Sequence, residues 1–214
     1  MSFELKTFFC TAPKERGKFL SRIFGVFSEE IVRCWASNPQ APLTLVGRRT
    51  VTLQDGTRHT LDFCFSNRST GAVTVAEMKC EVEYQGYRYL TLTGPEQLAH
   101  HVKPAFKAFL TAATTPLDVT VRVAGKLVQS DGAILIWGAV TPEGVASVQK
   151  QFGFRNVLSV EAIVSDLSKW RDSSFLKLLD TRRGWILELF NGLRGVACEA
   201  DWTVIQGEGK KQGR

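Results

Sequence analysis

Two acids and a lysine interrupt otherwise apolar segments in the first half of the chain. Asp62 stands in Leu61-Asp62-Phe63-Cys64-Phe65, and Glu77 with Lys79 in Val75-Ala76-Glu77-Met78-Lys79-Cys80. Charges on strands bound for a core are costly to bury, so they call for a metal, a partner or a chemical role. Strict alternation sets Glu77 and Lys79 on one face of their strand and Ala76, Met78 and Cys80 on the other. If the two strands pair through a turn at 66–71, Asp62 approaches Glu77 closely enough for one divalent ion. Mg²⁺ keeps several waters and asks for few protein oxygens, so Asp62, Glu77 and the Met78 carbonyl suffice, with Mn²⁺ as a substitute. Such an ion polarises a phosphate and generates hydroxide, while Lys79 can orient the water and offset phosphorane charge. The alternative is an exposed sheet edge, where Lys79 or Arg58 pairs the acids as surface ions of little energetic worth.

The elements that would position these residues can be read from periodicity. Phe19, Leu20, Ile23, Phe24, Phe27, Ile31, Cys34 and Trp35 recur at helical spacing, predicting a helix over 14–35 that stops by Asn38, ahead of Pro39. Strands follow at about 43–53 and 57–66, joined by Asp55-Gly56, then a third over 72–82. Gly94-Pro95 opens a helix over roughly 95–112. Beyond it lie an extended segment at 119–128 and the apolar run 133–140, which reads as a strand covered on both faces. Thr141-Pro142-Glu143 starts a helix to about Gln151; a strand at 156–164 and a helix at 167–179 complete a βαβα passage. Residues 185–204 predict one or two peripheral elements, and the Gly- and Lys-rich tail 206–214 predicts disorder. The expected fold class is α/β, a central mixed sheet of four or five strands flanked by helices, as one domain over 1–205.

This order, with an Asp on the second core strand and acid-x-Lys on the third, resembles the PD-(D/E)xK nuclease superfamily. The resemblance implies a restriction endonuclease-like core and a Mg²⁺-dependent deoxyribonuclease, an endonuclease whose catalytic residues are Glu30, Asp62, Glu77 and Lys79, with Asp62, Glu77 and Met78 holding the metal. Fourteen residues separate Asp62 from Glu77, and Leu61 stands where the family has proline. The family's helix glutamate falls on Glu30, on the shoulder of the apolar stripe, rather than on Glu29, which points away from it. A narrower resemblance, carried by Ser28-Glu29-Glu30-Ile31-Val32 and by the 133–141 strand running into Pro142-Glu143, is to TnsA-type transposon end-cleaving endonucleases. It implies a role in transposition and a separate DNA-recognition or transposase partner; a homodimer is the other way to cut both strands of a duplex. A DNA-binding or assembly module that keeps this fold and cuts nothing is the alternative function.

Composition bounds the partners. The 214 residues hold 27 Lys and Arg against 21 Asp and Glu, a formal charge of +6, which favours an anionic partner such as DNA. Lys14, Arg16, Lys18, Arg22, Arg48 and Arg49 are candidate phosphate contacts, and Gln85, Gln97 and His101 are open candidates to join the site. Five scattered cysteines without a CxxC pair argue for a reducing compartment, and three histidines without HxH or HxxxH spacing argue against zinc. No run has the ~20 apolar residues of a membrane helix, so a cytoplasmic protein with no membrane partner is expected.

Overall fold

The computed structural model describes residues 4–10, 14–47, 50–79 and 87–194. A short helix, α1 (Leu5–Cys10), precedes α2 (Lys14–Ser37), the long amphipathic helix that the period of its apolar residues requires. Each of the next two expected strands is broken in the middle. The first yields β1 (Leu43–Leu45) and β2 (Thr50–Leu53), and the second β3 (Arg58–Thr60) and β4 (Phe63–Asn67). Gly47, at φ 62°, turns the chain out of one sheet after β1, and Asp62 sits at the bend between β3 and β4. The Asp55-Gly56 hairpin forms as expected, with Gly56 at φ 83° and Asp55 Oδ1 accepting from the Thr57 N–H and hydroxyl. The turn after β4 is fastened by Asn67 Oδ1, which accepts the Ser69 and Thr70 N–H groups, and leads into β5 (Val73–Lys79).

The helix expected over 95–112 is instead two elements. After β6 (Thr91–Leu92), a single 3₁₀ turn spans Pro95–Leu98, and α3 runs Pro104–Thr114. Pro104 has no N–H to continue a helix and pushes Lys103 to ψ 143°, so the chain leaves the helical region between them. The extended segment is a hairpin, β7 (Val119–Val123) and β8 (Lys126–Gln129), folded about Ala124 and Gly125 at φ 48° and 83°. The apolar run becomes β9 (Ala133–Trp137) and β10 (Ala139–Val140), and Thr141 caps α4 (Pro142–Phe152) by accepting from the Gly144 N–H. The strand expected over 156–164 ends early. Ser159 closes β11 (Asn156–Ser159) and caps α5 (Val160–Lys169) with its hydroxyl on the Ala162 N–H, so α5 starts well before residue 167. Helix α6 spans Ser173–Leu193.

Strands pair as β1-β4-β5-β9-β11 in a mixed five-stranded sheet. The first three are mutually antiparallel, while β5, β9 and β11 run parallel, joined through α3 and α4. The peeled-off halves form a second, four-stranded sheet, β3-β2-β7-β8, and β6 pairs with β10. One face of the larger sheet meets α2, whose Arg33 guanidinium lies 5.1 Å from the Phe63 ring centre; Trp35 of α2 in turn donates to Asp166 of α5. On the other face Val73, Val75, Ala133, Leu135 and Trp137 share a buried cluster with Phe106 and Phe109 of α3, Val148 of α4, and Val51 and Val121 of the smaller sheet. The chain separates into two compact units, Met1–Asp172 and Ser173–Arg214. No helix among the described residues is long and apolar enough to cross a membrane.

Candidate active site

Strand register is what brings the acids together. Phe63 lies opposite Ala76 and Cys64 opposite Val75, and Asp62, at the bend just before β4, comes close enough for its charge to act on the Glu77 carboxyl. Glu77 shares the α3 face of β5 with Val75. Asp62 Oδ2 accepts the Met78 N–H at 2.7 Å, which ties the bend before β4 to the end of β5. Glu77 Oε1 accepts from Lys79 Nζ at 2.6 Å, and that ammonium lies 5.6 Å from the centre of the Phe106 ring. Asp62, Glu77, Met78 and Lys79 therefore form one cluster, half of it buried. Glu30 is half-buried on α2, on the Phe63 side of the sheet; with Asp172 its charge adds to the burial that raises the Cys34 thiol.

Glu77 is only 7% exposed, and burial raises its carboxyl above the ordinary range, reinforced by the Asp62 charge. The Lys79 hydrogen bond pulls it back down. Its second oxygen, Oε2, is buried and has no hydrogen-bond partner among the described residues. An orphaned anionic oxygen in a core costs far more than an ordinary buried hydrogen-bond group unless a cation or a proton meets it. Two neighbouring carboxylates beside a strand carbonyl are the hard oxygen donors a small divalent ion takes, so the residues fit Mg²⁺. No three His, Cys, Asp or Glu side chains converge as a metal group among the described residues, which leaves backbone and water oxygens to complete such a shell.

The raised Glu77 carboxyl has a testable consequence. A group whose pKa rises on folding stabilises the fold in its protonated form, and this contribution disappears as pH climbs from the ordinary value through the raised one. With chelator present, the melting temperature of the native protein is expected to fall relative to Glu77→Gln as pH rises above the ordinary carboxylate range. Parallel melting profiles for the two proteins over that rise would contradict it.

Beyond β5 and α3 lies a cavity of about 350 Å³, lined by Glu77, Lys79, His100, His101, Val102, Lys103, Ala105 and Phe106. His101 thus joins Glu77 and Lys79, and burial first, then the charges of His100 and the two lysines, lowers its pKa to about 4. His101, one of the open candidates, reaches the site from the non-helical stretch before Pro104 and not from a helix. Gln97 does not reach the site: it is buried, its Oε1 takes the Thr93 and Gly94 N–H groups, and its Nε2 donates to the Thr91 carbonyl. His59 belongs to β3 in the smaller sheet. Gln85, Arg48 and Arg49 lie outside the described residues, as do Cys80 and Cys198. Arg16, Lys18 and Arg22 are exposed along α2, Arg16 donating to the Phe8 carbonyl. Cys64 is a buried free thiol pushed up to about 11 by desolvation.

Comparison with protein-family models, curated proteins and solved structures finds no match. The cluster is therefore interpreted from its own geometry.

Proposed function

We propose that the chain is a Mg²⁺-dependent DNA endonuclease with a restriction endonuclease-like core. The observation that carries this reading is the approach of Asp62, at the bend before β4, to Glu77 of β5, with Lys79 hydrogen-bonded beside Glu77 and one buried Glu77 oxygen without a partner among the described residues. Support at the level of the fold comes from the order of elements: a long helix, three antiparallel strands, a helix, then a strand parallel to the third. Asp62, Glu77 and the Met78 carbonyl would hold the ion, which supplies Lewis-acid polarisation of the scissile phosphate and a water acidic enough to attack at neutral pH. The chain's own residues do the rest. The Met78 N–H fixes the Asp62 carboxylate, the face of the Phe106 ring attracts the Lys79 ammonium, and that ammonium orients the water and offsets charge developing on phosphorus. The positive excess of the chain, +6 overall, draws the phosphodiester in.

A second reading, a DNA-binding or assembly module without chemistry, is favoured by one observation: Lys79 donates to Glu77 itself, as it would in a purely structural ion pair. Supercoiled plasmid and duplex, branched and single-stranded oligonucleotides incubated with the pure protein separate the two. Cleavage in Mg²⁺ or Mn²⁺ that stops on adding chelator is the expected result. Tight, salt-sensitive binding with no cleavage of any substrate and no metal binding by calorimetry would leave the second reading standing.

A further inference from the structure

The mouth of the 350 Å³ cavity gathers positive charge where ordinary helix chemistry would put negative charge. Helix α3 begins there, and the positive end of its dipole favours an acid in the first turn or a side-chain cap. It has neither: its N-cap is Lys103, which makes no capping bond, and no acid follows in the first turn. Lys79 lines the same cavity with its ammonium paired to Glu77, which leaves Lys103 as the cation at the helix end. An anion seated there offsets both the Lys103 charge and the helix dipole, as phosphates do on exposed first-turn N–H groups. Glu77 is a second, independent pointer to a ligand. More than nine-tenths buried, it lines the same cavity, and its Oε2 lacks a donor among the described residues. The remaining wall carries two aromatic rings: those of His100 and His101 lie 3.9 Å apart by centroid and 41° apart in plane, next to Val102, which is 69% exposed. An anion, a hydrogen-bond donor and a flat ring are the three parts of a nucleotide.

We propose that this cavity is a subsite for one unpaired, phosphate-bearing nucleotide, its phosphate at Lys103 and the α3 end and its base on the His100–His101 wall. The inference rests on the nuclease reading for its biological setting and deepens it, since it names an unpaired strand rather than intact duplex as what enters the site. Size supports this: about 350 Å³ is at the low end of small-ligand sites, which span roughly 300–1,000 Å³, and cannot admit a base-paired helix.

The probe is deoxyadenosine 5′-monophosphate, titrated into the full chain with chelator present while the imidazole proton resonances are followed by NMR. Saturable shifts of His100 and His101, with His59 unmoved, are expected. Deoxyadenosine is expected to bind about tenfold more weakly, as is the monophosphate to Lys103→Ala, the loss of one charge-assisted contact. Histidine resonances unmoved by millimolar monophosphate, or equal binding of the nucleoside, would overturn the proposal. The nuclease reading fails separately. Metal-dependent cleavage with a silent NMR titration refutes the subsite alone, whereas nucleotide binding at the histidines without cleavage of any DNA upholds the subsite and removes the nuclease.

Discussion

Asp62→Asn is expected to lower metal-dependent DNA cleavage by at least about 10²–10³-fold while leaving the protein folded. Asparagine is the informative replacement because Asp62 has two roles. Its Oδ2 accepts the Met78 N–H, and alanine would leave that buried donor orphaned, at about 1–3 kcal/mol. Asparagine keeps an acceptor for Met78 and removes the negative charge that a metal needs. Lys79→Met is the companion variant, keeping an unbranched side chain and removing the ammonium that Glu77 accepts from and that lies near the Phe106 ring. Its cleavage is expected to fall by a similar factor, with Mg²⁺ binding retained, since lysine is not a ligand. Single-turnover cleavage and calorimetric metal titration of the three proteins read these effects. Full activity in a rigorously purified Asp62→Asn preparation would end the nuclease proposal.

The largest stability effect is expected at Trp137. The residue is fully buried, pairs in register with Lys79, and donates its indole N–H to the Tyr89 carbonyl at 2.7 Å. It holds the end of β9 next to the site, with the His101 ring edge-on at 6.3 Å. Trp137→Ala removes the ring from a packed core and is expected to destabilise the fold by about 3–5 kcal/mol, enough to lower the melting temperature by roughly 10 °C. Trp137→Phe keeps most of the packing but leaves the Tyr89 carbonyl without its donor, for a loss of about 1–3 kcal/mol. Urea denaturation measures both, and a loss below about 1 kcal/mol for the alanine variant would show that the ring is not a core support.

The sequence by itself determined the local features whose signals lie within a few residues of one another. The period of apolar residues set α2, the Asp55-Gly56 dipeptide set the hairpin between β2 and β3, and Thr141-Pro142 set the start of α4. The turn between β4 and β5 also carried the approach of Asp62 to Glu77, because a short turn fixes the register of the strands it joins. The α/β class and a mixed sheet of four or five strands flanked by helices followed from that order of elements; the structure has five in that sheet. Tertiary structure decided what depends on partners distant in the chain. The two long strands split because a second sheet, completed by β7 and β8 some seventy residues later, takes their outer halves. The 95–112 segment broke because Pro104 outweighed an apolar period that spanned it, and the break is what carries His100, His101 and Lys103 to the mouth of the Glu77 cavity. Gln97 became a buried turn staple once Thr91, Thr93 and Gly94 converged on it. Local pattern specifies which groups a segment offers; burial and long-range pairing choose which of them meet, since desolvation and hydrogen-bond satisfaction belong to the assembled core and to no single segment.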